Sequence, residues 1–107
     1  MSDNLNFFTR LIMKRKNKPV QQVEFKKNSE TLILKTFGEN LKRLREQKGF
    51  SQEALAFIAG LSRSYYVEVE NGKRNVSLIN IIKINTALEV ELNKLITLNE
   101  IEKYIIK

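Results

Sequence analysis

Residues 51–72, SQEALAFIAGLSRSYYVEVENG, constrain this chain more than any other stretch. The segment starting at Gln52 reads as a helix capped by Ser51, whose hydroxyl can accept from a first-turn N–H that the helix itself leaves unpaired. Leu55, Ala56 and Ala59 recur at the spacing of an inward-facing helical stripe. Gly60 then supplies the left-handed backbone that stops the helix. Ser62 caps the next helix, and Leu61 and Tyr66 take the N′ and N4 positions of a hydrophobic staple that fixes the entry angle. Two helices joined so tightly around a glycine form a helix-turn-helix, and Ala56 is small enough for a close crossing. Tyr66 and Val69 point back to the core, which leaves Arg63, Ser64, Val67 and Glu68 facing outward. The first turn of the second helix is therefore the part that can meet a partner.

Helical periodicity continues on both sides. Phe37, Leu41 and Leu44 mark one face of a helix running from about Thr31 to a stop at Gly49. Asn71-Gly72 ends the third helix. Ser77 starts a fourth, stapled by Val76 against Ile81, with Leu78, Ile81, Ile82 and Leu88 expected on its buried side. A fifth, short helix is expected over Glu91 to Ile96, with NEIEKYIIK extending it or adding a further turn. Near the N-terminus, Asn4 to Lys16 fits an amphipathic helix with Leu5, Phe8, Leu11 and Ile12 near one face, broken by KNKP. Residues 20–28 read as a short strand or an arm without fixed structure. The expected organisation is a basic extension over residues 1–35, its order left open, an all-α five-helix domain over 36–97 and a helical tail over 98–107.

A length of 107 residues suits one domain with some chain to spare. Cysteine and histidine are both absent, which excludes disulfides, thiolate metal sites, histidine bases and the usual triads. Glu68 and Glu70 are two apart and share no helical face, so they make a poor metal pair for a nuclease. No catalytic residue, metal site, cofactor or small-molecule effector is expected, and the chain does not read as an enzyme. No segment approaches the ~20 apolar residues that span a bilayer, and cysteine usage fits a reducing cytoplasm. Net charge is +7. Residues 1–35 hold 8 basic and 3 acidic groups and residues 36–97 hold 9 and 7, so more than half of the excess lies in the first third. This balance suits a polyanionic partner.

In a helix-turn-helix DNA binder, the leading residues of the second helix enter the major groove. Arg63 suits bidentate bonding to guanine, worth about 1–3 kcal/mol of discrimination. Ser64 can donate or accept, and Tyr65 offers its ring to a thymine methyl and its hydroxyl to a phosphate. Residues 37–96, with Gln52, Ala56, Gly60, Tyr66 and Val69 in register and a Glu-Asn-Gly turn at 70–72, closely resemble the phage Cro/repressor-type, or Xre-like, DNA-binding domain. That resemblance implies a five-helix Cro/repressor-type fold and base readout from residues 63–68: Arg63, Ser64, Tyr65, Val67 and Glu68. It implies backbone contacts from Gln52, Arg43, Ser62, Lys73, Arg74 and Asn75, and a buried Arg45–Glu70 ion pair. Gln52 also braces the recognition helix in that family.

The run GLSRSYYVEVENGKRNVSLINIIKI is similar, more narrowly, to restriction–modification controller proteins, whose pattern is Gly-Leu-x-Arg-Thr-Tyr-Ile-x-x-Ile-Glu, then Arg-Asn-x-Ser-Leu-x-Asn-Ile. Ser64 replaces the threonine, Tyr66 replaces a core isoleucine, and Glu89 stands where the turn usually has glycine, a strained choice if that residue is left-handed. The resemblance implies a transcriptional regulator binding double-stranded DNA as a homodimer on a palindromic operator. Ile79, Ile82, Leu92, Leu95 and Ile96 exceed what a five-helix core needs and are expected at the dyad. Phe57 and Ile58 suggest a small exposed patch that the N-terminal extension covers. The alternative function is an antitoxin-like or anti-regulator module whose arm wraps a protein partner.

Overall fold

Three serines start three helices. Ser51 Oγ accepts from Ala54 N–H at 3.0 Å, Ser62 Oγ from Tyr65 at 3.2 Å and Ser77 Oγ from Asn80 at 3.2 Å. Each of the three has extended backbone, the usual N-cap geometry. The computed structural model describes residues 14–15, 18–20, 22–97 and 102–106. Its helices are α1 (Ser29–Gln47), α2 (Gln52–Ala59), α3 (Arg63–Glu70), α4 (Leu78–Leu88) and α5 (Leu92–Leu95). Among the described residues, two-residue strands accompany them: β1 (Lys14–Arg15), β2 (Lys18–Pro19), β3 (Glu24–Phe25) and β4 (Ile105–Ile106). The fold is all-α in its domain, as the periodicity predicts.

Helix ends follow one pattern. At the α2–α3 turn, Gly60 has φ 73°, its N–H bonds to Phe57 O, and the Leu61 N–H reaches back to Ala56 O. The same pair of bonds closes α1 at Gly49–Phe50 and α3 at Gly72–Lys73. At the end of α4 the left-handed residue is Glu89, with φ 56° and ψ 46°. Its N–H bonds to Asn85 O and Thr86 O, and Asn85 Nδ2 donates to Val90 O at 3.0 Å, holding the turn without a glycine.

The core joins Leu41 and Leu44 of α1, Leu55, Ala56 and Ala59 of α2, Tyr66 and Val69 of α3, Ile84 and Leu88 of α4, and Leu95 of α5. Helix α1 crosses the end of α3 at Gly38, where a Cβ would overlap the Glu70 carbonyl and lie 2.8 Å from Val69 O. Only glycine allows that approach. The α4 face differs from expectation: Leu78 and Ile82 are 66% and 48% exposed, whereas Ile84 is fully buried. The run LINIIKI carries apolar residues on more than one helical face, so its period does not select the one that packs on α2.

The extension and tail also differ. The helix expected over residues 4–16 falls mostly outside the described residues, but its end is a strand: Lys14 pairs with Pro19 and Arg15 with Lys18, antiparallel. Proline disfavours helical backbone at the residue before it and is tolerated at a strand edge. Helix α1 begins at Ser29, two residues before the start expected at about Thr31, and so lies partly within the stretch assigned to the extension. In the tail expected to be helical, residues 98–101 lie outside the described residues and Glu102 is helical, but the end is a strand: Ile105 and Ile106 pair with Phe25 and Glu24. Ser29 is buried and its hydroxyl donates to Tyr104 O at 2.9 Å, while the Lys26 N–H donates to the same carbonyl at 3.0 Å. Arm and tail thus close over the start of α1. Partners so far apart in sequence leave no local pattern that announces them.

Glu89→Gly is expected to raise stability by about 0.5–1 kcal/mol in urea unfolding, because relief of the left-handed strain exceeds the added unfolded-chain entropy. Gly38→Ala is expected to lower it by about 1–3 kcal/mol or more, as overpacking forces α1 and α3 apart.

Candidate nucleic-acid interface

Glu70, the last residue of α3, is 5% exposed, and its carboxylate collects donors from three helices. From α1, Arg45 Nε lies 2.5 Å from Oε2 and Nη2 lies 3.2 Å from Oε1. Gln52 Nε2 of α2 donates to Oε1 at 3.0 Å, and the Tyr66 hydroxyl of α3 donates to Oε2 at 2.6 Å. Arg45 also donates to Phe50 O at 2.8 Å, fixing the α1–α2 loop. Burial pushes the Glu70 carboxyl up, yet the donors Arg45, Tyr66 and Gln52 outweigh it and hold the group below the usual carboxylate range. Tyr66 is pushed far above its ordinary range, first by burial and then by the carboxylate it serves. The hydrogen bond to Glu70 raises Arg45 despite burial.

With α3 fixed from beneath, its leading turn faces outward. Ser62, Arg63 and Ser64 are exposed, and Val67 and Glu68 are half-buried. Ser62 Oγ is engaged as the helix cap, which leaves its hydroxyl proton available for donation. Tyr65 is half-buried: Asn80 Nδ2 donates to its hydroxyl at 3.0 Å, and the Arg74 guanidinium sits 5.4 Å above its ring centre. Arg74 in turn pairs with Glu68, with Nε and Nη2 at 2.8 and 2.7 Å from Oε1. Lys73 and Asn75 flank Arg74 on an exposed turn. A chain of contacts therefore runs from α4 through Tyr65 and Arg74 to Glu68.

Residues 41–95 match the helix-turn-helix family model HTH_3. The chain belongs to the helix-turn-helix family of DNA-binding regulators. Among relatives of that family, control protein C.MunI of Mycoplasma sp is 48% identical over 68 residues, which cover 63% of this chain and 89% of that protein. Control protein C.BamHI of Bacillus amyloliquefaciens is 48% identical over 56 residues, 51% of this chain and 69% of that one. The crystal structure of the restriction-modification controller protein C.AhdI from Aeromonas hydrophila superposes with a TM-score of 0.60 at 53% identity, covering 62% of this chain and 96% of that chain. Among the described residues, no helix is long and apolar enough to cross a membrane.

In helix-turn-helix terms, the structure brings Gln52, Ser62, Arg63, Ser64, Glu68 and Arg74 onto or beside the recognition helix. Arg43 stands elsewhere. It donates to Asn40 Oδ1, and Asn40 Nδ2 is bound to Lys94 O and Leu95 O at 2.7 Å, so Arg43 belongs to the junction of α1 with α5. Of the residues expected at a dyad, Ile79, Ile82 and Leu92 are 63%, 48% and 45% exposed. Leu95 is corrected to the monomer core, where it is 1% exposed, and Ile96 packs partly against that core. Both lie where the short α5 folds back on α1. Phe57 is 84% exposed and Ile58 52% exposed, and most of the extension expected to cover them lies outside the described residues.

Two functional side chains escaped sequence reasoning. Tyr66 read only as a core substitution, although a buried tyrosine hydroxyl needs a partner and a glutamate stands one helical turn on. Asn80 stood out only as a match to the controller-protein pattern, with no role attached, because its bond to Tyr65 crosses from α4 to α3.

Tyr66→Phe is expected to lower stability by about 1–2 kcal/mol, since a carboxylate oxygen loses a buried donor. A depressed carboxyl stabilises the fold above its unfolded pKa of ~4.3, and that stability is lost as pH falls toward the folded value. With one donor gone, Glu70 rises toward the unfolded value, so the variant's acid unfolding is expected at higher pH than wild type's, read by circular dichroism.

Proposed function

We propose that this regulator is a controller-type transcriptional regulator, acting in the cytoplasm as a homodimer on a near-palindromic operator. The single observation that carries the reading is the outward first turn of α3, with Arg63 and Ser64 exposed on a helix whose far end is locked by the Glu70 cluster. Arg63 and Ser64 read base edges, with Val67 supplying an apolar contact. Ser62, Gln52, Lys73 and Asn75 meet phosphates, and Tyr65 works mainly by its ring and its fixed hydroxyl. Similarity to the control proteins supports the controller assignment. No step of chemistry is involved: the protein acts by occupying its site.

The dimer is proposed through Ile79 and Ile82 of α4 and Leu92 of α5, exposed apolar residues on consecutive helices. Ile58 of α2 lines the same groove as Ile79 and Ile82, which extends the apolar area. A two-fold axis there would set two recognition helices about one turn of DNA apart, roughly 34 Å. Ile82→Asp is expected to shift the protein toward monomer in sedimentation and to weaken operator binding more than tenfold, without unfolding it.

Selection of bound sites from random duplex DNA tests the reading as a whole. A palindromic motif is expected, and Arg63→Ala is expected to relax preference at one base pair per half-site, by roughly 1–3 kcal/mol. Equal affinity of the wild-type protein for every duplex would reject the proposed function.

A further inference from the structure

An acidic side chain on the exposed face of a recognition helix is out of place beside DNA phosphates. Glu68 occupies that position, and its carboxylate is 2.7 Å from Arg74 Nη2, with the two side chains 43% and 51% exposed. Arg74 is held from a second side by the Tyr65 ring, 5.4 Å away, and Tyr65 is itself pinned by Asn80 at 3.0 Å. The guanidinium therefore has a defined resting place in the free protein, on the helix that meets the duplex.

Resting on the DNA-binding reading above, we propose that Glu68 is an internal competitor of DNA phosphate for Arg74, a latch that lowers affinity for all duplexes alike. Guanidinium binds carboxylate and phosphate with the same paired geometry, so the exchange needs only a swing of the arginine between two anions. An exposed pair of this kind is worth a factor of about 1.4 to 5 in an equilibrium constant. That is small enough for phosphate to break and large enough to subtract from every encounter. Base contacts by Arg63 and Ser64 are untouched by the latch, so Glu68 sets overall affinity without reading a base.

The test is a double-mutant cycle on Glu68→Gln and Arg74→Gln, with affinities measured for the selected operator and for random duplex. Both side chains are exposed, so both variants are expected to unfold in urea like wild type. Glu68→Gln is expected to tighten binding about two- to fivefold per protomer on both duplexes, leaving base preferences as they were. In the Arg74→Gln background the same change is expected to give little or no gain. An undiminished gain there would overturn the latch in favour of plain charge repulsion. Loss of preference at one base pair on Glu68→Gln would overturn it in favour of direct readout, and an unchanged affinity would overturn it outright. If the wild-type protein selects no sequence, the proposed function fails instead, which the selection reports independently of the cycle.

Discussion

The carboxylate of Glu70 is the point on which the domain turns. It accepts from Arg45, Gln52 and Tyr66, and so gathers α1, α2 and α3 at one buried place. A buried ion pair is not in itself a source of large net stability, because desolvation offsets the attraction; removing one partner, however, is expensive at about 3–5 kcal/mol. Its value here lies in geometry. The three helices can satisfy the carboxylate in one arrangement, and that arrangement turns the front of α3 outward. Gly38 contributes to the same result by letting the backbone of α1 touch the last turn of α3.

Positions whose partners lie within a turn or two were legible in the sequence. The serine caps, the glycine stops and the inward placement of Leu55, Ala56, Tyr66 and Val69 all follow from short spacings, and the structure has them. The Arg45–Glu70 pair was reached by resemblance, since no local rule joins residues 25 apart. Where apolar residues surround a helix, as along LINIIKI, periodicity could not decide which of them pack, and Leu78 and Ile82 were misjudged for that reason. Leu95 was assigned outside the core because α5 is too short to show a face of its own.

The arm and tail were the least legible. Residues 24–25 and 105–106 pair through backbone groups that every residue carries, so composition says little about the match. Tyr104 reinforces the closure by receiving Ser29 and Lys26 at one carbonyl. The result ties both flanks of the family domain to the start of α1, and the paired strands β1 and β2 precede β3 by only a few residues.

Ser62 separates what folding wants from what binding wants. Its oxygen accepts from the Tyr65 amide, and its hydroxyl proton stays available to a group that can only accept. Aspartate would start the helix equally well, and its charge would even favour the positive end of the helix dipole. Set against an incoming phosphate, that same charge would be repulsive. On the proposed DNA-binding reading, a neutral hydroxyl at the threshold of α3 gives up some dipole stabilisation and leaves the doorway hospitable to an anion.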